Sequence, residues 1–262
     1  MDLKLENKVA WVAGGSQGIG RAIAAALAAE GARVALGARS QAGLDAAVAA
    51  LRAEGREAVG HPLDLADPDA VTRWAEACTR ALGPAQILVV NSGGPPSGGH
   101  DTLRAEDWRR AADLLLHGAV GLVGAALPAM KSAGWGRVLF VTSLSVKQPV
   151  DGLMLSNSLR AAVQGYARTL ANEVAAAGVT VNCVGPGYTR TERLVALARA
   201  QARSRTVTEA QVYDDWRAAI PAGRLGESEE IAAVAAFLAG EPAGYVTGQM
   251  ITVDGGCVRS LL

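Results

Sequence analysis

Residues 9–24 read VAWVAGGSQGIGRAIA. Val9–Ala13 is an apolar run of strand length, and the alanine-rich stretch from Gly20 to Glu30 reads as a helix. Between them Gly14-Gly15-Ser16-Gln17-Gly18-Ile19-Gly20 turns one element directly into the other. A glycine-rich turn alone says little, and a plain tight turn is the alternative reading. In this setting each glycine has a task. Gly14 permits the tight turn, Gly18 lets the backbone approach a pyrophosphate, and Gly20 allows helix and strand to pack closely. The helix N-terminus then favours the anion electrostatically.

Outward from this unit the pattern repeats. Short apolar runs at 33–37, 57–61, 86–90, 137–142, 179–184 and 250–253 predict six further strands. Helices are expected at 41–54, 68–82, 105–133 (broken near Pro128), 155–177, 192–202 and 209–219. The strands are continuous apolar runs, which fits burial on both faces. Strand–helix–strand alternation implies right-handed crossovers. The expected fold class is α/β: a doubly wound Rossmann-type fold, its central parallel sheet of about seven strands covered by helices on both faces. One domain spanning 1–262 is expected, with a lid or substrate segment at about 188–226.

Composition narrows the partners. Lys plus Arg equals Asp plus Glu at 25 each, so the formal charge is zero and no nucleic-acid partner is expected. No apolar run reaches the ~18–20 residues of a membrane helix, so no membrane partner is expected. The N-terminal MDLKLENK lacks the apolar core of a signal peptide. Cys78, Cys183 and Cys257 are scattered, which predicts reduced structural thiols, no metal site and a cytoplasmic location.

Two further features bear on the ligand. The second strand ends in Gly37-Ala38-Arg39-Ser40, where an acidic residue would hold the ribose 2′-hydroxyl of NAD. Arg39 can instead pair with a 2′-phosphate, so NADP(H) is the expected cofactor; a solvated arginine is the alternative. Gly93–Gly99, GGPPSGG, follows the fourth strand at the carboxyl end of the sheet, where open α/β sheets bind ligands.

With these residues in view, the chain resembles the short-chain dehydrogenase/reductase family over nearly its whole length, and its 3-oxoacyl-carrier-protein reductase-like members most. The spacing Gly14-x3-Gly18-x-Gly20 is similar to that family's cofactor loop, which includes Ser16, Gln17 and Ile19 here. Asp64-Leu65 resembles its pair beside the adenine. Asn91-Ser92-Gly93 resembles the tail of its Asn-Asn-Ala-Gly motif, with Val90 in place of the first Asn. Pro186-Gly187 with Thr189 and Thr191 resembles the turn at the nicotinamide end. Tyr245–Gln249 and Val253–Gly256 resemble its C-terminal signature. The resemblance implies a small-molecule substrate, carbonyl/alcohol hydride transfer and a homo-oligomer, dimer or tetramer.

The same resemblance marks a departure. The family's Asn, Ser, Tyr and Lys tetrad falls here on Leu115, Ser143, Ser156 and Arg160. A serine hydroxyl is a far weaker acid than tyrosine, whose unperturbed pKa is near 10. Arginine holds its proton tightly, although it can bind a ribose and stabilise negative charge. Lys147 is a candidate donor, but an exposed loop lysine is the plainer reading. His117 and Asp113, near Leu115, read as packing or interface residues, or as a histidine beside an open site. Three functions stay open. One is an NADP(H)-dependent oxidoreductase with Ser143, Ser156 and Arg160 in a changed proton relay. The others are a nucleotide-binding module without turnover and a non-redox enzyme using the same pocket.

Overall fold

A computed structural model describes residues 1–261; residue 262, the end of the expected single domain, lies outside the described residues. Strand and helix alternate through β1 (Val9–Ala13), α1 (Gly18–Ala29), β2 (Arg33–Ala38), α2 (Gln41–Ala53), β3 (Ala58–Pro62), α3 (Pro68–Leu82) and β4 (Ile87–Val90). After β4 come α4 (Ala105–Ala112), α5 (Gly118–Ala133), β5 (Gly136–Val141), α6 (Met154–Val174) and β6 (Val179–Pro186). The chain ends with α7 (Glu192–Arg205), α8 (Glu209–Ala219), α9 (Ser228–Ala239) and β7 (Met250–Val253). All strand pairs are parallel, in the order β3-β2-β1-β4-β5-β6-β7. The order reverses between β1 and β4, so the loops leaving these strands diverge and open a crevice at the sheet's carboxyl edge.

The strands are apolar throughout because both faces are covered. On one face Trp11, Leu88, Val138 and Phe140 pack under α3, α5 and α6. On the other, Ala10, Val12, Leu36 and Leu139 pack under α1, α2 and α9. Helix starts follow local chemistry: Ser40 Oγ accepts from Gly43 N at the head of α2, and Asp67 caps α3 ahead of Pro68. A third cluster, built from Leu194, Ala198, Val212, Trp216 and Ile220, makes α7 and α8 a packed cap over the sheet edge. Tyr188 stacks on Trp216 within it, ring centroids 5.1 Å apart.

The expected seven strands are all present, two with the expected ends and the others shifted by at most two residues. Three expectations need correction. Ser228–Ala239, where the sequence pattern predicts no element, form α9, packed closely against α1. Alanine hides the apolar stripe there, because buried and exposed positions carry the same residue. Second, the long helix is not broken at Pro128, which α5 runs through. Pro128 is exposed, so carbonyls freed by its missing N–H can bond water. The interruption falls earlier, at a π-helical turn over Asp113–His117. Third, an apolar stretch of membrane-spanning length does exist. Ala105–Ala133 has a mean hydropathy of 1.5 over its most apolar window. In the fold Leu122, Val123, Ala126 and Met130 face the core, and the helix packs along β4 and β5.

Candidate active site

A cleft of about 860 Å³ lies across the carboxyl edge of the sheet. Its first wall is the β1–α1 turn. Gly14 has φ +64°, and a Cβ there would stand 2.5 Å from Asn91 Nδ2 and 2.7 Å from Asn91 O. At Gly20 a Cβ would stand 2.1 Å from Gly14 O. The turn is therefore closed to any side chain at both positions. Asn91 Nδ2 donates to Gly14 O at 3.2 Å, tying the end of β4 to the turn across the crevice.

Helix α1 starts with no side-chain cap and no acidic residue in its first turn. Its first N–H groups have no protein acceptor from a capping side chain, the arrangement that suits a phosphate. Gly18 has φ +52°, and Thr191 of the cap lies beside it. Ser16, Gln17, Gly18 and Ile19 line the cleft with Gly14, while Gly20 supports it from beneath. At the far end Arg39 lines the cleft, exposed and without an ion-pair partner among the described residues. Asp64 and Leu65 line the same region, and Asp64 Oδ1 accepts from Ala66 N at 3.0 Å. An adenine dinucleotide carrying a 2′-phosphate fits these donors.

The opposite wall comes from β4, β5, α6 and the cap. Asn91, Ser92 and Gly93 line it, and a Cβ at Gly93 would meet nothing within 4 Å. The loop beyond is tied down: Gly98 N donates to Gly152 O at 2.7 Å. Pro186, Gly187, Thr189 and Thr191 line the cleft where β6 leads into the cap. Gly187 leaves space only for Asp254, whose Cα a Cβ would meet at 2.6 Å. Thr191 Oγ1 caps α7 by accepting from Leu194 N.

Ser143 follows β5, and its Oγ accepts from Ser145 N at 3.1 Å, so its O–H is free to donate into the cleft. Ser156 and Arg160 stand one turn apart on α6 and both line the cleft. Arg160 Nη1 donates to Val141 O at 2.9 Å. Burial, then the nearby Arg193 cation, pull its guanidinium down to about 10.

Not every expected residue arrives. Lys147 is exposed and outside the cleft lining, because the tight turn after Ser143 carries it to the surface. Leu115 is buried on the π turn and does not reach the cleft, whose lining there is Asp113 and Leu114. His117 Nδ1 lies 2.9 Å from Asp113 Oδ1, on the groove between α3 and α5. No tyrosine lines the cleft among the described residues. Tyr166 packs edge-on to Phe140 at 6.0 Å instead. Sequence reasoning missed Arg193, which reaches from α7 to donate to Pro95 O at 2.8 Å. Nothing in its sequence position, two residues after Thr191, marks it as part of the site.

The sequence profile of the family described as enoyl-(acyl carrier protein) reductase matches residues 13–258. The chain belongs to the short-chain dehydrogenase/reductase family. It is 37% identical to the 3-oxoacyl-(acyl-carrier-protein) reductase of Vibrio cholerae, over 97% of this chain and 98% of that one. Among solved structures it is similar to L-sorbose reductase from Gluconobacter frateurii complexed with NADPH and L-sorbose. There the identity is 31%, each chain is fully covered and the TM-score is 0.94. A variant of actinorhodin polyketide ketoreductase with NADPH gives 31% identity and a TM-score of 0.93, with 97% and 98% covered.

Proposed function

We propose that this chain is an NADP(H)-dependent oxidoreductase that interconverts a carbonyl and an alcohol in the cleft. The observation that carries this reading is the pairing of a complete dinucleotide cradle with Ser143 and Arg160 at its far wall. The first-turn N–H groups of α1 hold the pyrophosphate and Arg39 the 2′-phosphate. When bound, NADPH would supply a hydride for the substrate carbonyl carbon. Negative charge then develops on the substrate oxygen, and Ser143 donates a hydrogen bond to it. Arg160 uses one of its five N–H groups on Val141 O. The others serve the nicotinamide ribose and stabilise the developing charge. Ser156 relays a proton from solvent water to that oxygen, completing the alcohol, and recovers its own proton from water. Positioning and preorganised charge supply the rate that a tyrosine acid would otherwise add.

A second reading, a nucleotide-binding protein without turnover, is favoured by one observation: the cleft lining holds no tyrosine, lysine or histidine among the described residues. The two part on one assay. Protein is mixed with NADPH and a panel of ketones and 3-oxoacyl thioesters while the nicotinamide absorbance is followed. Turnover that Ser143→Ala removes supports the first reading. Tight NADPH binding with no turnover on any carbonyl sinks it.

The oligomer belongs to the same proposal. The outer face of α5 leaves Val120 exposed beside Gly121 and Gly124. A second copy packed there buries this face in a dimer or tetramer. Light scattering that finds only monomer at assay concentration rejects that part.

A further inference from the structure

The chemistry above uses Arg160 but gives Arg193 no task. Both line the cleft on its second wall, Arg160 from α6 and Arg193 from the first turn of α7 in the cap. Arg193 is held in place rather than free. Its Nη2 donates to Pro95 O, and a Cβ at Gly94 would stand 2.6 Å from its Nε and 2.7 Å from its Cζ. A glycine at 94 is what lets the guanidinium lie against that backbone. Neither arginine has a carboxylate within ion-pair distance among the described residues. Three of the four carboxylates lining the cleft are engaged elsewhere: Asp113 by His117, Asp107 by Arg104 N and Asp64 by Ala66 N. The fourth, Glu192, is exposed beside Arg193 in sequence and forms no ion pair with it among the described residues.

Arg160 is partly buried, Arg193 is exposed at the cleft mouth, and the charge on Arg193 disfavours the charge on Arg160; a cation so placed with no ion-pair partner is costly. An anion between them removes that cost and gains charge-assisted hydrogen bonds from two planar forks. We propose that Arg160 and Arg193 form an anion subsite that selects substrates carrying a carboxylate near the reacting carbonyl. This rests on the cofactor-binding part of the proposed function, since the dinucleotide completes the cleft beside the subsite. The cofactor's own pyrophosphate is the other anion that could sit there, and the test separates the two.

Malonate and its dimethyl ester serve as matched probes, titrated calorimetrically into the protein with and without saturating NADP+. The expected result is malonate binding at least about tenfold tighter than the ester. Arg193→Met should remove most of that preference, and Arg193→Lys should keep part of it. NADP+ affinity should move by less than about twofold in both. Gly94→Ala, which pushes the guanidinium off its backbone seat, should weaken malonate in the same direction with Arg193 still present. Equal binding of acid and ester overturns the proposal. So does an Arg193→Met protein that loses NADP+ affinity as much as malonate affinity, because the arginine then serves the pyrophosphate. The readout is binding, so a lack of turnover would reject the redox reading while leaving this contrast standing. Turnover without the contrast would reject only the subsite.

Discussion

The two walls of the cleft are built on different terms. Around β1 and α1 the geometry is over-determined: two glycines face backbone at distances no Cβ tolerates, and Asn91 bolts the turn to β4. Around β5 and α6 the backbone is as regular, but the side chains of Ser143, Ser156 and Arg160 carry the proposed chemistry. A wall defined by excluded volume tolerates little change. A wall defined by functional groups can be rewritten one side chain at a time while the scaffold stands. That difference orders the expected effects of mutation.

The largest effect should fall on the first wall. Gly20→Val drives a branched side chain into Gly14 O. A loss of roughly 3 kcal/mol or more in urea unfolding is expected, together with loss of NADPH binding. Near-native binding by this variant would mean that the turn is softer than its contacts indicate. On the second wall, Ser143→Ala should lower turnover by about 100-fold while NADPH affinity stays within about twofold. Equal losses in both would erase the contrast between the walls.

Smaller shifts should sharpen it. Arg39→Leu should weaken NADPH by about tenfold or more and leave NADH nearly unchanged, the signature of a phosphate contact. Calorimetry with both nucleotides checks this, and a parallel loss for NADH would assign Arg39 to folding. Ser156→Tyr with Arg160→Lys should raise carbonyl reduction by about tenfold, since a positioned phenol replaces a weak acid. No gain in a folded, NADPH-binding double variant would show that the second wall differs by more than its side chains.

The same asymmetry explains what could be read from sequence. The cradle was legible because glycine spacing, a preceding strand and a following helix constrain one another locally. The place of Arg39 at the cleft was legible because it directly follows a strand whose position in the sheet follows from the alternation. Arg193 was not, because its partner Pro95 is 98 positions away and no local pattern links them. Lys147 looked available by spacing from Ser143, but a three-residue turn decides its direction, and such turns leave no periodic mark. Helix α9 was hidden by alanine, and the π turn by a helical pattern that continues on both sides of it.

The smallest effect tests the cost of the second wall directly. Arg160 is held in its charged form against burial and against Arg193, with its guanidinium pulled down to about 10 from a higher ordinary value. The unfolded chain therefore binds the proton more tightly than the fold does. Stability must then rise with pH in the window that starts near 10 and ends at the ordinary guanidinium range. Below that window the cost is fully present. Arg160→Met removes the charge at the price of one hydrogen bond to Val141 O, so a net gain of about 1 kcal/mol is expected near neutral pH. The gain should shrink above about 10, and carbonyl reduction by the parent protein should fall over the same rise in pH, as the cation is lost. A variant that is less stable than the parent at neutral pH would mean that the arginine is a structural strut. The second wall would then be as constrained as the first.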